Sequence, residues 1–308
     1  MTAEMTILAP GDHGGDGWRL AAALGIPVGD VLDLSASLNP VAPDPVPVVA
    51  AHLEALRTYP DPQRAERELA EVMDFDSGRL VLTNGGSEAI ALVAQLHPVG
   101  WVDDPDFSLY RRHLRSAHPG ALRWRSNPHN PTGLLARPDE SAAVWDEAFW
   151  PLATGSWTRG DADGGGDGEA SLVLGSLTKL LACPGLRLGY VLCPDSGTAA
   201  NLRRLRPSWS VNGPAVSALP ELLAPVDLPK WAAAVSDLRN DLERLLRDAG
   251  YSPRPSNANW VLVDDPHLRT RLARAAISVR DCSSFGMPGT VRIAVPSGDG
   301  LDRLAAAL

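Results

Sequence analysis

The chain has 308 residues, of which 44% are hydrophobic and 21% charged, enough to bury the core of one globular unit or of two closely packed domains. Its formal net charge of -9 comes without a long basic run, which makes nucleic acid and anionic membrane surfaces poor candidate partners. The first residues lack the basic and apolar regions of a signal peptide, and no stretch is apolar enough to span a membrane, so we expect a cytoplasmic protein that binds a small molecule.

The scarcity of lysine makes its remaining positions informative. Of the 28 basic residues only Lys179 and Lys230 are lysines, so arginine serves wherever a generic positive charge is enough. A lysine that remains is a candidate for amine chemistry. The three cysteines and seven histidines show no spacing typical of metal ligands, and we expect no metal and no disulfide.

The chain divides by pattern into three parts. Residues 1–45 are rich in Gly and Pro and predict an N-terminal arm that joins a small domain. In residues 46–213, short apolar runs alternate with helical stretches, which is typical of βαβ units in a large domain with a mostly parallel sheet. Residues 214–308 predict a smaller α+β domain. The Gly- and Asp-rich stretch at 155–170 predicts a surface loop rather than a phosphate cradle.

The strongest chemical signal surrounds the first lysine. Ser176 lies three residues before Lys179, and Arg187 lies eight residues after it. A lysine that forms a Schiff base must offer an unprotonated amine, while nearby hydroxyl and guanidinium groups bind the phosphate of a cofactor. The three residues fit those roles. The alternative is a strand, a turn and a second strand with an exposed lysine.

A glycine-rich turn supplies a second signal. Gly85 and Gly86 follow an apolar strand, and Ser87 opens an apolar helix. The glycines permit close approach of the backbone, and the N–H groups and dipole of the helix start favour a phosphate. An ordinary turn capped by Ser87 would have the same sequence.

A third signal combines an amide and a carboxylate. Asn130 lies in a turn rich in Pro and Gly, and its amide can bond the ring oxygen of a pyridine cofactor. Asp146 ends a strand-like run and can pair with the pyridine nitrogen, which keeps the ring an electron acceptor. The alternatives are a plain turn for Asn130 and a solvated helix cap for Asp146.

Taken together, the motifs resemble those of class I and II, fold-type I aminotransferases, which depend on pyridoxal 5′-phosphate (PLP). The resemblance implies an α/β fold, with a mostly parallel central sheet flanked by helices and a smaller α+β domain. A finer resemblance is to the histidinol-phosphate aminotransferases and, within that branch, to the threonine-phosphate decarboxylases of cobalamin synthesis. It depends on the segments 13–16, 33–40, 59–62, 207–212 and 279–285.

The resemblance also implies roles for individual residues. Gly86 and Ser87 would hold the cofactor phosphate, and Phe107 would stack on the pyridine ring. Tyr59 would reach the cofactor phosphate of the neighbouring subunit, which implies a homodimer with shared active sites. Simple core packing of Phe107 and a surface turn at Tyr59 are the alternatives.

Three further residues are expected on the substrate side. Arg292 matches the arginine that holds the substrate carboxylate, for which bidentate geometry makes lysine a poor substitute. Arg280 is a candidate anchor for a distal phosphate ester, and Asn39 a candidate substrate contact. The alternative for Arg292 is a charge at a strand edge.

Two departures from the family pattern accompany these matches. Phe149 stands where many of these enzymes have a tyrosine, and only twenty residues separate Tyr110 from the turn at Pro131, which indicates a trimmed large domain. The preferred interpretation is decarboxylation of L-threonine O-3-phosphate. An aminotransferase similar to the histidinol-phosphate enzymes and a non-catalytic PLP-fold protein remain the alternatives.

Overall fold

The computed structural model describes residue 11, residues 13–163 and residues 170–308. Part of the predicted Gly- and Asp-rich loop, residues 164–169, lies outside this description. The strands are β1 (Leu32–Leu34), β2 (Leu80–Thr83), β3 (Val99–Val102), β4 (Ser116–Ala117), β5 (Leu122–Ser126), β6 (Val144–Asp146), β7 (Leu172–Gly175), β8 (Gly189–Leu192), β9 (Trp260–Asp264), β10 (Ile277–Asp281) and β11 (Thr290–Ala294).

The helices alternate with these strands along the chain. They are α1 (Gly17–Leu24), α2 (Val46–Ala51), α3 (Gln63–Val72), α4 (Gly86–Leu96), α5 (Ser108–His113), α6 (Trp150–Thr154), α7 (Leu177–Leu180), α8 (Ser196–Leu205), α9 (Gly213–Leu223), α10 (Leu228–Asp248), α11 (Leu268–Arg274) and α12 (Gly298–Ala305). Single turns of 3₁₀ helix occur at Val28–Asp30, Leu53–Arg57, Ser77–Arg79, Asp161–Asp163 and Ser283–Phe285. None of the described helices is both long and apolar enough to cross a lipid bilayer.

The larger sheet has seven strands in the order β2-β8-β7-β6-β5-β3-β4. Strands β4, β3, β5, β6 and β7 run parallel, while β8 is antiparallel to both β7 and β2. Strands β2 and β7 are apolar along most of their length, and all their residues are buried, because helices cover both faces of the sheet. This arrangement confirms the predicted α/β class with a mostly parallel sheet.

Two apolar clusters fill the space between this sheet and its helices. On one face, residues of α4 and α8 such as Ile90 and Leu202 pack against Trp124 of β5. On the other face, residues of α3 and α9 such as Leu69 and Leu219 pack against the sheet. The helices therefore fix the positions of the strand ends.

The connection from β5 to β6 is short. Residues 127–143, all of them described, contain no helix, and the strands on either side are parallel neighbours. Within this connection, Glu140 accepts hydrogen bonds from Arg123 at 2.8 Å and from Arg125 at 2.7 Å, and Arg123 lies 5.6 Å from the ring centre of Trp101. Arginine and carboxylate groups thus join the connection, which has no helix, to strand β5.

The smaller sheet combines the two ends of the chain. Its order is β1-β10-β11-β9, with β1 parallel to β10 and the other pairs antiparallel. Its core contains Leu242 of α10, Leu272 of α11 and Leu304 of α12. The segment that follows β1 is consequently carried to the edge of the larger sheet.

Candidate active site

A cavity of about 310 Å³ lies where the carboxyl ends of β5, β6 and β7 meet the start of α4 and the smaller sheet. In open α/β sheets, ligands bind at the carboxyl ends of parallel strands. The cavity brings together nine of the residues singled out in the sequence: Gly86, Ser87, Phe107, Asn130, Asp146, Ser176, Lys179, Arg187 and Arg292.

The amine of Lys179 points into this cavity from α7, directly after β7. Its Nζ donates a hydrogen bond to the main-chain carbonyl of Ala36 at 2.7 Å and lies 5.8 Å from the ring centre of Phe149. Burial, together with the positive charges of Arg292 and Arg187, lowers the pKa of Lys179 to about 8. Near neutral pH about a tenth of the amine is therefore unprotonated, which is the form that nucleophilic attack requires.

One corner of the cavity brings together groups that could bind an anion. Gly85 has a φ of +79°, and a Cβ added there would lie 2.5 Å from Nη2 of Arg187, so a side chain at this position would displace the guanidinium. Gly86 and Ser87 begin α4, and Ser176 lies beside Gly86. A helix start, two hydroxyl groups and a guanidinium together are a set of donors that could bind a phosphate.

A buried carboxylate faces the cavity at the end of β6. Asp146 accepts hydrogen bonds from the hydroxyl of Tyr110 at 2.7 Å and from the backbone N–H of Ala148 at 3.0 Å. Burial raises the pKa of Asp146 to about 6, although the bond from Tyr110 acts in the opposite direction. At neutral pH the group is an ionised acceptor held in a fixed orientation.

An amide and an arginine meet on the opposite side. Nη1 of Arg292 donates to Oδ1 of Asn130 at 2.7 Å, and the guanidinium lies 4.8 Å from the ring centre of Trp260. Its Nε is buried and has no hydrogen-bond partner among the described residues. Burial lowers the pKa of Arg292 to about 10, so the group stays positive and retains an unused donor.

The structure does not bring every predicted residue into the cavity. Asn39 lies behind Lys179, where its Nδ2 donates to the carbonyl of Leu180 at 2.9 Å and its Oδ1 accepts from the N–H of Val41 at 3.1 Å. Both ends of its amide bond the main chain, and it is not among the residues that line the cavity.

Arg280 and Tyr59 also lie outside the lining. Arg280 is buried on β10 directly opposite Arg292, and it donates to the carbonyl of Gly11 at 2.9 Å and to the hydroxyl of Ser284 at 2.8 Å. Tyr59 is 78% exposed and stacks on Trp209 with ring centres 4.5 Å apart.

Five polar contributors to the lining were not predicted from the sequence: His13, Ser35, the backbone of Ala36, Ser126 and Thr178. The hydroxyl of Ser35 accepts the N–H of Gly15 at 2.8 Å, which holds the glycine turn after His13 against the end of β1. A buried serine at the end of a strand, as at Ser126, was the available signal for one of them.

Comparisons with known proteins point to one family. The model of the family described as aminotransferase class I and II matches residues 124–308. The threonine-phosphate decarboxylase of Salmonella typhimurium is 30% identical, with 96% of this chain and 95% of that protein covered. Histidinol-phosphate aminotransferase 1 of Mesorhizobium japonicum is 27% identical, with 90% of this chain and 89% of that protein covered.

The fold has a counterpart among solved structures. The crystal structure of histidinol-phosphate aminotransferase from Sinorhizobium meliloti, in complex with PLP, has a TM-score of 0.78 and 20% identity, with 100% of this chain and 96% of that chain covered. The alignment with the Salmonella protein runs over 353 positions, more than the 308 residues here, so this chain lacks segments that its relative has. With its family match, its relatives and its fold in agreement, this chain belongs to the class I and II aminotransferases, a family of PLP-dependent enzymes.

Proposed function

We propose that this enzyme decarboxylates L-threonine O-3-phosphate, with PLP attached to Lys179. The observation that carries the proposal is the convergence, in one cavity, of a lysine of lowered pKa, a buried carboxylate and an anion site at the start of α4. When bound, PLP withdraws electrons from the α-carbon of an amino acid and weakens the bonds to that carbon.

The residues present fit that cofactor. The missing side chain at Gly85 leaves room for the Arg187 guanidinium beside the start of α4, where a phosphate would bind with Ser87 and Ser176 as further donors. Asp146, oriented by Tyr110, would keep the ring nitrogen protonated. Phe107 lines the same space and would stack on the ring, and Asn130 would bond the ring oxygen.

Charge supports an anionic substrate. Among the described lining residues, Lys179, Arg187 and Arg292 carry positive charge and Asp146 carries negative charge. The unused Nε of Arg292 can bind a carboxylate. Arg280 lies outside the lining but directly opposite Arg292 on the neighbouring strand, and it is our candidate anchor for a second anionic group, the phosphate ester, on the same substrate.

The choice between decarboxylation and transamination depends on which bond to the α-carbon stands perpendicular to the cofactor ring. The 30% identical threonine-phosphate decarboxylase, aligned over nearly all of both chains, favours decarboxylation. Relatives with the names of histidinol-phosphate aminotransferases keep transamination as the second candidate. The convergence of polar groups in the cavity argues against the third, a non-catalytic PLP-fold protein.

We also propose a homodimer in which Tyr59 reaches the cofactor phosphate of the neighbouring subunit. The stacked pair of Tyr59 and Trp209 is largely exposed, and so are Leu53 and Leu56 of the same region. An apolar surface of this kind is typical of a subunit interface. Sedimentation of the PLP-loaded protein tests the oligomeric state.

The deciding experiment measures carbon dioxide release from L-threonine O-3-phosphate by the PLP-loaded protein without added keto acid. Release by the wild type and its loss in Lys179→Ala would support the decarboxylase. No release, together with conversion of the bound cofactor to its amine form when amino donors are offered, would instead support the aminotransferase. Neither reaction, with PLP still bound, would support the non-catalytic alternative.

A further inference from the structure

Asp106 is a buried carboxylate immediately before Phe107, and it does not line the cavity. Its Oδ1 accepts hydrogen bonds from the N–H of Phe107 at 2.7 Å and from the hydroxyl of Ser126 at 2.5 Å. Its Oδ2 accepts the N–H of Ser126 at 3.2 Å. One side chain thus bonds both the residue proposed to stack on the cofactor ring and the end of β5.

The network continues from Ser126 to the substrate side. The Oγ of Ser126 accepts the backbone N–H of Asn130 at 2.8 Å, and Oδ1 of Asn130 accepts Nη1 of Arg292 at 2.7 Å. Ser126 is also the register partner of Asp146 on the neighbouring strand. Hydrogen bonds therefore connect Asp106, step by step, with the guanidinium proposed to bind the substrate carboxylate.

We propose that Asp106 is a positioning residue that acts through Ser126 and the N–H of Phe107, and that it fixes Phe107, Asn130 and Arg292 for cofactor and substrate. The proposal rests on the cofactor arrangement proposed above and deepens it. Asp106 would touch neither ligand, because it does not line the cavity, whereas Phe107 and Ser126, to which it is bonded, do.

Both carboxylate oxygens of Asp106 accept hydrogen bonds, so this position requires an acceptor at each oxygen. Three donors converge on the carboxylate, so an amide in its place would direct an N–H group at one of them. Burial raises the pKa of Asp106 to about 6, while the bond from Ser126 and the charge of Arg125 favour the ionised form. The group is ionised at neutral pH and can accept all three bonds.

Cofactor affinity provides the first test. Apo-protein is titrated with PLP, and its visible absorbance and protein fluorescence are followed for wild type, Asp106→Asn and Ser126→Ala. We expect each variant to bind PLP about tenfold to a hundredfold more weakly, as expected when a buried donor or acceptor loses its partner. Ser126→Thr, which keeps the hydroxyl, should restore most of the affinity.

Asp104→Asn is the matched control, because Asp104 lies on the same loop but is largely exposed and pairs with Arg111 at the surface. Its affinity for PLP should equal that of the wild type. The double variant Asp106→Asn, Ser126→Ala should be no weaker than the worse single variant, since both substitutions break the same connection. If the two losses of PLP affinity add in the double variant, Asp106 and Ser126 do not act through the same hydrogen-bond connection.

Steady-state kinetics at saturating PLP separates positioning from folding. We expect KM for the amino acid substrate to rise about tenfold in Asp106→Asn and in Ser126→Ala, because Arg292 loses its fixed orientation. A lower melting temperature with unchanged cofactor affinity and KM would overturn the proposal and leave Asp106 a purely structural residue.

If Asp106→Asn does not fold, Ser126→Ala decides the question alone. A wild type that binds PLP but does not turn over substrate contradicts only the proposed reaction, since the titration needs no turnover.

Discussion

The two walls of the cavity are built in different ways. One consists of residues at the ends of parallel strands, such as Ser126, Asp146 and Ser176, and the first two have hydrogen-bond partners in the segment that follows β3, which are Asp106 and Tyr110. The other comes from the smaller sheet and the segment after β1, and its main charged group, Arg292, is bonded across the cavity to Asn130. The first wall is preorganised by the larger sheet and by the segment that follows β3, whereas the second depends on contact with the first.

This difference indicates that the two walls have different functions. Preorganised polar groups suit a cofactor that stays bound, and a partly unsatisfied arginine suits a substrate that comes and goes. Substitutions on the first wall should therefore change cofactor chemistry, and those on the second should change substrate affinity.

The largest effect is expected for Lys179→Ala, because the amine is both the proposed anchor of the cofactor and a proton carrier. Activity should fall by at least about a thousandfold. Borohydride reduction of the PLP-loaded wild type followed by peptide mapping should find the cofactor on Lys179. Lys230→Ala is an ideal control, since it replaces the other, exposed lysine and should leave both activity and labelling intact. Labelling at Lys230 would contradict the assignment.

The next effect concerns Asp146 and its raised pKa of about 6. Asp146→Asn should lower the rate about a hundredfold, because a neutral amide cannot hold a proton on the ring nitrogen. Steady-state rates of the two PLP-loaded proteins at neutral pH measure the effect, and an unchanged rate in Asp146→Asn would contradict this role.

The raised pKa of Asp146 also affects the stability of the apo-protein. Between roughly pH 4 and pH 6 the folded protein keeps a proton on Asp146 that the unfolded chain has lost, so this group lowers the stability of the apo-protein as pH rises. Above pH 6, where Asp146 is mostly ionised, the apo form of Asp146→Asn should therefore melt at a higher temperature than the apo form of the wild type. Calorimetry of the two apo-proteins at matched pH measures the difference.

A smaller effect is expected from Arg292→Lys on the second wall. Lysine keeps the charge but loses bidentate geometry, so KM for the amino acid should rise about tenfold to a hundredfold. Affinity for PLP should change much less, because Arg292 lies on the wall opposite the anion site. Arg274→Lys, at an exposed position in α11, is the control and should have wild-type kinetics. An equal loss of PLP affinity in Arg292→Lys would remove the distinction between the walls.

Much of this arrangement could be predicted from the sequence. The apolar runs at β2 and β7 predict buried strands, and the motifs around Lys179, Asp146 and Asn130 predict one site because the carboxyl ends of parallel strands meet at one edge. The fold class followed from the same patterns and from the order of the motifs. Local sequence was sufficient where a residue's role depends on its own turn.

Other features depend on distances between elements that are far apart in the chain. Asp106 and Ser126 are twenty residues apart, and their hydrogen bond exists because β3 and β5 are neighbours in the sheet. Nothing in the local pattern distinguishes this carboxylate from an exposed one such as Asp104. The same holds for Asn39. The sequence around it does not distinguish an amide that faces a ligand from one that bonds the main chain.

The smallest effect on catalysis is therefore expected for Asn39→Ala. Asn39 was predicted as a substrate contact, but its amide bonds the carbonyl of Leu180 and the N–H of Val41, and so joins the segment after β1 to the helix that carries Lys179. Loss of these buried bonds should lower the free energy of unfolding by about 1–3 kcal/mol, measured by urea denaturation. KM for the substrate should change little. A large rise in KM with unchanged stability would instead place Asn39 at the substrate. It would also show that the segment after β1 moves when substrate binds, so that the second wall is mobile.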